Sequence, residues 1–437
     1  MRAASSSIGT AADAALHSDD PVAVRNWLAS HHPKQLSLLD KFEIELRLGR
    51  LSSTNTKGEG VLGASTSDRL FVTLRTVELL KHVIGATRWR NAAQLLALLR
   101  GLGRELHEVG GFREPVIENI VRRVMAAVRE EAMNTADAAA TRKTPTADSG
   151  RLTLQSILWA LPQHVKSPPS TRSISRGDSH KQRNESFASE ADLEQSQLPS
   201  QYYVNRPELK QTVMEAIQEI MTELEDLHRN INEQAPYHIH AGEVILTYGK
   251  SKTVEHFLKA AHSKKRKFQV IVCEGSPMYG GHQMAKSLAE AGIDTMVIND
   301  SATFAIMARV NKVLLPAHAV LANGGLIATS GTNMVALCAS NNAVPVVCIT
   351  GMFKLCPMYP HEGQDTLNDL VSPSNVIDFM EMGDDLISDV ELINPVHDYI
   401  KPEHINLYVT NVGSFQPSYI YRLLAEYYHA DDWKSFE

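Results

Sequence analysis

Residues 243–350 contain EVILTYG (243–249), FQVIVCEG (268–275), DTMVIND (294–300), NKVLLPAHAVLANGG (311–325) and VPVVCIT (344–350), short apolar runs rich in Val and Ile. Between them lie KTVEHFLKAAHSKK (252–265), GHQMAKSLAEAG (281–292), SATFAIMARV (301–310) and GTNMVALCASNN (331–342). Apolar runs of strand length, each followed by an amphipathic segment and a return, predict βαβ units and a parallel sheet covered on both faces. Right-handed crossovers make such a sheet doubly wound, with ligand sites at the carboxyl ends of its strands. The expected fold class is therefore α/β: an all-helical N-terminal domain followed by a Rossmann-like domain over 237–437. Past Thr350, GMFKLCPMYPHEGQDTLNDLVSPSNVIDF (351–379) reads as loop, INLYVTNVGSF (405–415) as one more strand, and PSYIYRLLAEYYH (417–429) as a closing helix with Pro in its first turn.

Upstream, the pattern is helical. VAVRNWLASHH (22–32), LDKFEIELRLGRL (39–51), SDRLFVTLRTVELLKHVIGA (67–86), WRNAAQLLALLRGLGREL (89–106) and PVIENIVRRVMAAVREEA (115–132) carry apolar residues at three- and four-residue steps. Gly85 and the Gly101/Gly103 pair read as helix ends. The expected organisation is a tail over 1–20, a helical domain over 21–133, a Ser/Pro-rich disordered insert over 134–204 and a connector helix over 205–236. Within the insert, LTLQSILWALPQHV (152–165) is an apolar island fit for a short docked helix. The connector is read from Leu209, Val213, Ala216, Ile217, Ile220, Leu224, Leu227 and Ile231, one stripe along about six turns.

Composition narrows the function. A hydrophobic content of 43% is that of a globular chain, and a formal charge of −7 argues against bulk affinity for nucleic acid. The run Lys264-Lys265-Arg266-Lys267 reads as a solvated loop. Cys273, Cys338, Cys348 and Cys356 lack the short paired spacing of zinc ligands and read as buried free thiols of a reducing compartment. No run has the ~20 apolar residues of a membrane span. The first twenty residues have the Arg, Ser and Ala of a transit peptide and equally the look of a frayed tail; a cytosolic protein is expected.

At the strand ends, Thr247-Tyr248-Gly249-Lys250-Ser251 opens a helix and reads as a plain N-cap, since neither GxGxxG nor GxxxxGK[ST] is present. Cys273 follows Ile271 and Val272 and reads as core rather than nucleophile. His282 starts a helix, Asp300 is a natural N-cap, and the glycines of Leu321–Gly325 and Ser330–Asn333 permit tight turns beside polar caps. No Ser/His/Asp, Cys/His or paired-carboxylate set assembles.

Several long runs carry a resemblance. WRNAAQLLALLRGLGREL, VIENIVRRVMAAVREE (116–131), the stretch from EAIQEIM (215) to HFLKAA (261), RKFQVIVCEGSPMYGGHQMA (266–285), the stretch from GIDTMV (292) to ATSGT (332), MFKLCP (352–357) and YIYRLLAEYYHADDW (419–433) resemble the regulatory-subunit family of eukaryotic initiation factor 2B. That factor is the guanine nucleotide exchange factor for initiation factor 2, and the runs favour the family's beta type over alpha and delta. The resemblance implies a non-catalytic subunit that scaffolds a decamer by pairing with delta. Alpha, gamma and epsilon are the further partners, and epsilon carries the exchange activity. The helical half would help bind the alpha subunit of initiation factor 2 and sense its phosphorylation. No cofactor, metal, nucleic acid or membrane is implied. The beta–delta contact is expected near the strand starts, at Glu243, Val244, Gln269, Ile271, Met296 and Ile298, with ordinary sheet core as the alternative.

The same fold is shared with the methylthioribose-1-phosphate and ribose-1,5-bisphosphate isomerases. Those enzymes place a Cys after the first strand, an Asp before an Asn-Gly turn, and Arg residues on phosphate. The resemblance puts Gly249 at the Cys position, His318 at the Asp position, and Ser276 and Gln283 at the phosphate positions. Thiolate, acid/base partner and guanidinium forks are all missing, so isomerase activity is the second reading rather than the first.

Overall fold

A computed structural model describes residues 20–48, 69–110, 114–141, 200–360, 370–377 and 390–433. The apolar island at 152–165 and the first nineteen residues lie outside them. Among the described residues, six helices precede the sheet: α1 (Pro21–His31), α2 (Pro33–Arg47), α3 (Arg69–Ala86), α4 (Ala92–Gly110), α5 (Pro115–Thr141) and the connector α6 (Leu209–Glu233), with a short α7 (Ala235–His238) behind it. Asp20 caps α1 by accepting from the Val22 N–H at 3.1 Å, and Pro21 follows at the position where a missing N–H costs nothing.

Two sequence expectations fail here. Helix α5 runs past position 133 to Thr141, and a 3₁₀ turn at Ser200–Tyr203 buries Tyr202, so both ends of the expected insert are structured. Gly101 and Gly103 do not end a helix; they lie inside α4. A Cβ on Gly101 would fall 2.5 Å from the Val24 side chain of α1. Glycine is there to let two helices touch, which local propensity does not reveal.

The sheet follows in the expected alternation. Its strands are β1 (Val244–Tyr248), β2 (Gln269–Cys273), β3 (Asp294–Ile298), β4 (Lys312–Pro316), β5 (Ala319–Val320), β6 (Leu326–Thr329), β7 (Val346–Ile349), β8 (His397–Ile400), β9 (Leu407–Val409) and β10 (Ser414–Phe415). Helices α8 (Lys252–Ser263), α9 (Gly280–Glu290), α10 (Thr303–Met307), α11 (Thr332–Asn341) and α12 (Ile420–Tyr427) connect and close it. The main sheet has the order β10-β9-β7-β4-β1-β2-β3, parallel except for β10. Chain direction across the sheet reverses between β1 and β4, the topological switch point of a doubly wound fold.

Some details differ from the reading above. The run 311–325 makes two strands, because Pro316 ends β4 and the chain then enters a separate antiparallel sheet, β5-β6-β8. The stretch 405–415 is a β9-β10 pair rather than one strand. Helix α10 is short, stopping at Met307 before Val310 turns into the core.

Alternate strand residues serve two cores, as a pleated strand requires. Ile245, Val270, Val272, Leu314 and Val347 join α8, α9 and all six upstream helices in one continuous apolar cluster. Leu246, Tyr248, Ile271, Cys273, Val313, Leu315 and Cys348 face the other way, onto α11 and α12. The connector stripe is buried as expected at Leu209, Val213, Ile217, Ile220, Leu224, Leu227 and Ile231, with Ala216 partly buried at its margin. No helix among the described residues is long and apolar enough to cross a membrane.

Candidate functional site

The switch point forms a small cleft, open in part to solvent. Strand β1 leaves its carboxyl end through Gly249 into Lys250, Ser251 and Lys252; β4 leaves through Pro316 into Ala317 and His318; β7 leads to Phe353 and Lys354. The helical half closes the cleft with Arg69 at the head of α3 and with Leu227 and His228 of α6. The lining thus carries Arg69, Lys250, Lys252 and Lys354 with two imidazoles, and no carboxylate or thiol.

Burial sets the chemistry of these groups. Lys354 is 9% exposed and donates from Nζ to the Ala317 carbonyl at 2.8 Å. Desolvation, helped by the nearby Arg69, brings its ammonium down to about 8. Arg69 is paired with Glu114 at 3.3 Å, from outside the lining. The His318 ring lies 4.0 Å from that of His397, and burial drives His397 down to about 3, so it stays neutral. Such a cleft attracts negative charge. It presents no thiolate nucleophile and no carboxylate to move a proton.

The four positions compared with the isomerases are scattered around this cleft. Gly249 has φ +58° and open space where a Cβ would be. His318 is in the lining. Gln283 lies outside it and accepts from Lys250 Nζ at 2.7 Å. Ser276 donates its N–H to Asp300 at 2.8 Å. Asp300 does not cap its own helix as expected; its carboxylate reaches across to the Gly275 and Ser276 N–H groups and to the Tyr248 hydroxyl. The N-cap at Ser251 is present, accepting from the Val254 N–H. Helix α11 is capped not by its local hydroxyls but by Asp398 of β8, which accepts from Gly331 and Asn333. Cys273 is fully buried beside Thr303, and burial pushes its thiol up to about 12. All four cysteines are buried and free.

Arg69, His228 and Lys354 were not singled out from the sequence. They come from three distant segments, and the one local hint is a lone lysine in the apolar MFKLC.

At the opposite edge, β3 is open. Met296 and Val297 are each 43% exposed, and Phe304 of α10 with Met334 and Leu337 of α11 are exposed as well. Of the other residues assigned to a contact, Ile271 is sealed in the second core, while Val244 and Ile298 are half-buried. Glu243 is held by Lys312 at 3.2 Å, and Gln269 donates to Asp294.

Comparison with known proteins gives four concordant matches. Residues 70–417 match the model of the initiation factor 2 subunit family. The chain is 39% identical over 365 residues to translation initiation factor eIF2B subunit beta of Dictyostelium discoideum, covering 83% of this chain and 91% of that one. Among solved structures, eIF2B beta from Chaetomium thermophilum superposes with a TM-score of 0.61 at 24% identity, covering 94% of this chain and 98% of that one. The tetrameric eIF2B-beta2-delta2 complex from C. thermophilum contains a chain that matches with a TM-score of 0.57 at 24% identity, covering 89% and 94%.

Proposed function

The chain belongs to the initiation factor 2 subunit family, on its beta branch, and on that premise we propose that it is a non-catalytic regulatory subunit of the exchange factor for initiation factor 2. In this reading it pairs with delta and stands with alpha, gamma and epsilon in a cytosolic complex. Its helical half helps to receive the alpha subunit of initiation factor 2 and to sense its phosphorylation, while exchange falls to epsilon. The observation that carries the reading is the cleft itself, at the switch point, lined by basic side chains with neither thiol nor carboxylate among them.

The edge strand supports the partner half of the reading. β3, the edge strand of the sheet, leaves Met296 and Val297 exposed, and apolar side chains on a sheet edge are of the kind that marks protein contacts. Pairing with delta is assigned to this face. Affinity capture of the tagged chain should bring down the four other subunits. Met296→Asp with Val297→Asp should lose delta while leaving the fold, followed by circular dichroism, unchanged. Capture of no companion would remove the proposal.

The electropositive cleft keeps isomerase chemistry as the second reading. Incubation of the purified chain with methylthioribose-1-phosphate or ribose-1,5-bisphosphate decides it. No turnover is expected; turnover abolished by Lys354→Met would establish the enzyme instead.

A further inference from the structure

Lys354 stands in a turn held too tightly to carry it out to solvent. Strand β7 passes into a 3₁₀ turn, Met352–Lys354, whose apolar neighbours all point inward: Phe353 into the first core, Met352 and Leu355 into the second. The backbone is pinned at three points. Asn411 accepts from the Met352 N–H at 3.0 Å, Asn119 donates to the Phe353 carbonyl at 3.1 Å, and the Tyr428 hydroxyl donates to the Leu355 carbonyl at 2.9 Å. The amine is therefore kept in the cleft.

Its surroundings there lack the anion a buried ammonium needs. Nζ donates to the Ala317 carbonyl and lies 5.7 Å from the centre of the Phe353 ring. No carboxylate among the described residues lies within ion-pair distance of it. Glu114, whose charge reaches it, is held by Arg69 at 3.3 Å, and burial keeps the neighbouring Cys348 thiol neutral. A buried lysine without an anionic partner is driven towards its neutral form, and desolvation with the Arg69 charge brings this one down to about 8. A neutral amine is a nucleophile, which an ammonium is not.

The rest of the lining indicates what such an amine would take up. Arg69, Lys250 and Lys252 bring positive charge, and the two imidazoles bring no negative charge to offset it. An adduct that carries a negative charge is favoured there, and in a small cleft it must be one of few atoms.

We propose that Lys354 is a carbamylation site, whose neutral amine adds dissolved carbon dioxide to give a carbamate held in the field of Arg69, Lys250 and Lys252. The Nζ lone pair forms the N–C bond, one C–O π bond opens onto oxygen, and one amine proton leaves to solvent. Amine and carbon dioxide thus become carbamate and a proton. The N–H that remains keeps the Ala317 carbonyl as its acceptor, and the cleft gains the anion that its lining lacks. Nothing in this step depends on the pairing with delta proposed above.

Carbon NMR of the full chain in buffer charged with isotopically labelled carbon dioxide, at about pH 8, tests this. The expected result is a carbamate signal, distinct from bicarbonate, that Lys354→Arg and Lys354→Met each remove while the signal of the terminal amine stays. Trapping with triethyloxonium and peptide mass spectrometry on the wild type, which needs no substitution, should place the label on Lys354. At that pH an amine of about 8 is neutral roughly a hundred times more often than an ordinary lysine; its weaker basicity gives part of this back, so roughly tenfold more label than on exposed Lys401 is expected. Lys250→Gln combined with Lys252→Gln should lower the Lys354 signal severalfold. A wild-type spectrum with only bicarbonate and terminal-amine signals overturns the site. So does a signal that survives both Lys354 substitutions, or one undiminished by the Gln pair.

Discussion

Substituting Asp432 with Ala tests whether the chain's C-terminal turn is a fastening or an ornament. Asp432 lies in the last described turn and is fully buried. Its two oxygens take a forked pair from Arg129 of α5, Nε to Oδ2 at 2.9 Å and Nη2 to Oδ1 at 2.7 Å, and Arg100 of α4 lies 3.5 Å from Oδ1. Arg122 of α5 adds a bond from Nε to the Asp432 carbonyl at 3.2 Å. Removing the carboxylate strands the Arg129 guanidinium, whose side chain is only 3% exposed, without its fork. The loss of one member of a buried pair costs about 3–5 kcal/mol, most of it the unpaired charge left behind. Asp432→Asn keeps the shape and one acceptor, and should cost about 1.5–3 kcal/mol. Urea unfolding of the wild type, the Ala and Asn variants, Asp432→Leu, Arg129→Met and the Asp432→Leu/Arg129→Met double variant closes the cycle. The double variant should recover much of the loss, because an apolar pair leaves no orphan charge. A cost below about 1 kcal/mol for Asp432→Ala, or a double variant no better than the worse single one, would show that the turn is not held by this ion pair.

Three shorter predictions follow from the same geometry. Gly101→Ala places a methyl 2.5 Å from Val24; overpacking of this kind costs about 1–3 kcal/mol and should show as a lower unfolding midpoint with α1 more open to exchange. Gly281→Ala is harsher, since its Cβ would fall 2.1 Å from the Cys273 carbonyl oxygen, which is backbone and cannot swing aside. Soluble yield should collapse, and a normal yield would show that α9 can shift. The four buried thiols should resist a disulfide reagent at about pH 8 in the native chain and react together once it is unfolded; burial holds Cys273 and Cys356 near 12.

The sheet was legible because its inner parallel strands are buried on both faces and so read as unbroken apolar runs, as in QVIVC and VVCI. The connector was legible because seven residues at three- and four-residue steps can face only one way. What escaped is everything set by contact between distant segments. Gly101 looks like a stop until Val24 arrives against it. Asp300 looks like a cap until the β2–α9 turn offers two better donors. The cleft's cations at Arg69, Lys250 and Lys354 have no common spacing to read, and the β3 edge is visible only once strand order is known. The resemblance pointed to Gly249, His318, Ser276 and Gln283; it did not point to Arg69, His228 or Lys354 in the cleft lining.

The uninterrupted apolar cluster that runs from α1 through α6 onto one face of the sheet has a practical corollary. A fragment beginning after Pro236 would leave Ile245, Val270, Val272, Leu314 and Val347 with one wall missing, and a fragment ending before it would strip the matching stripe of α6. Neither half would keep the whole of that cluster, although the second core, under α11 and α12, lies wholly within the sheet half. The molecule should melt as one body.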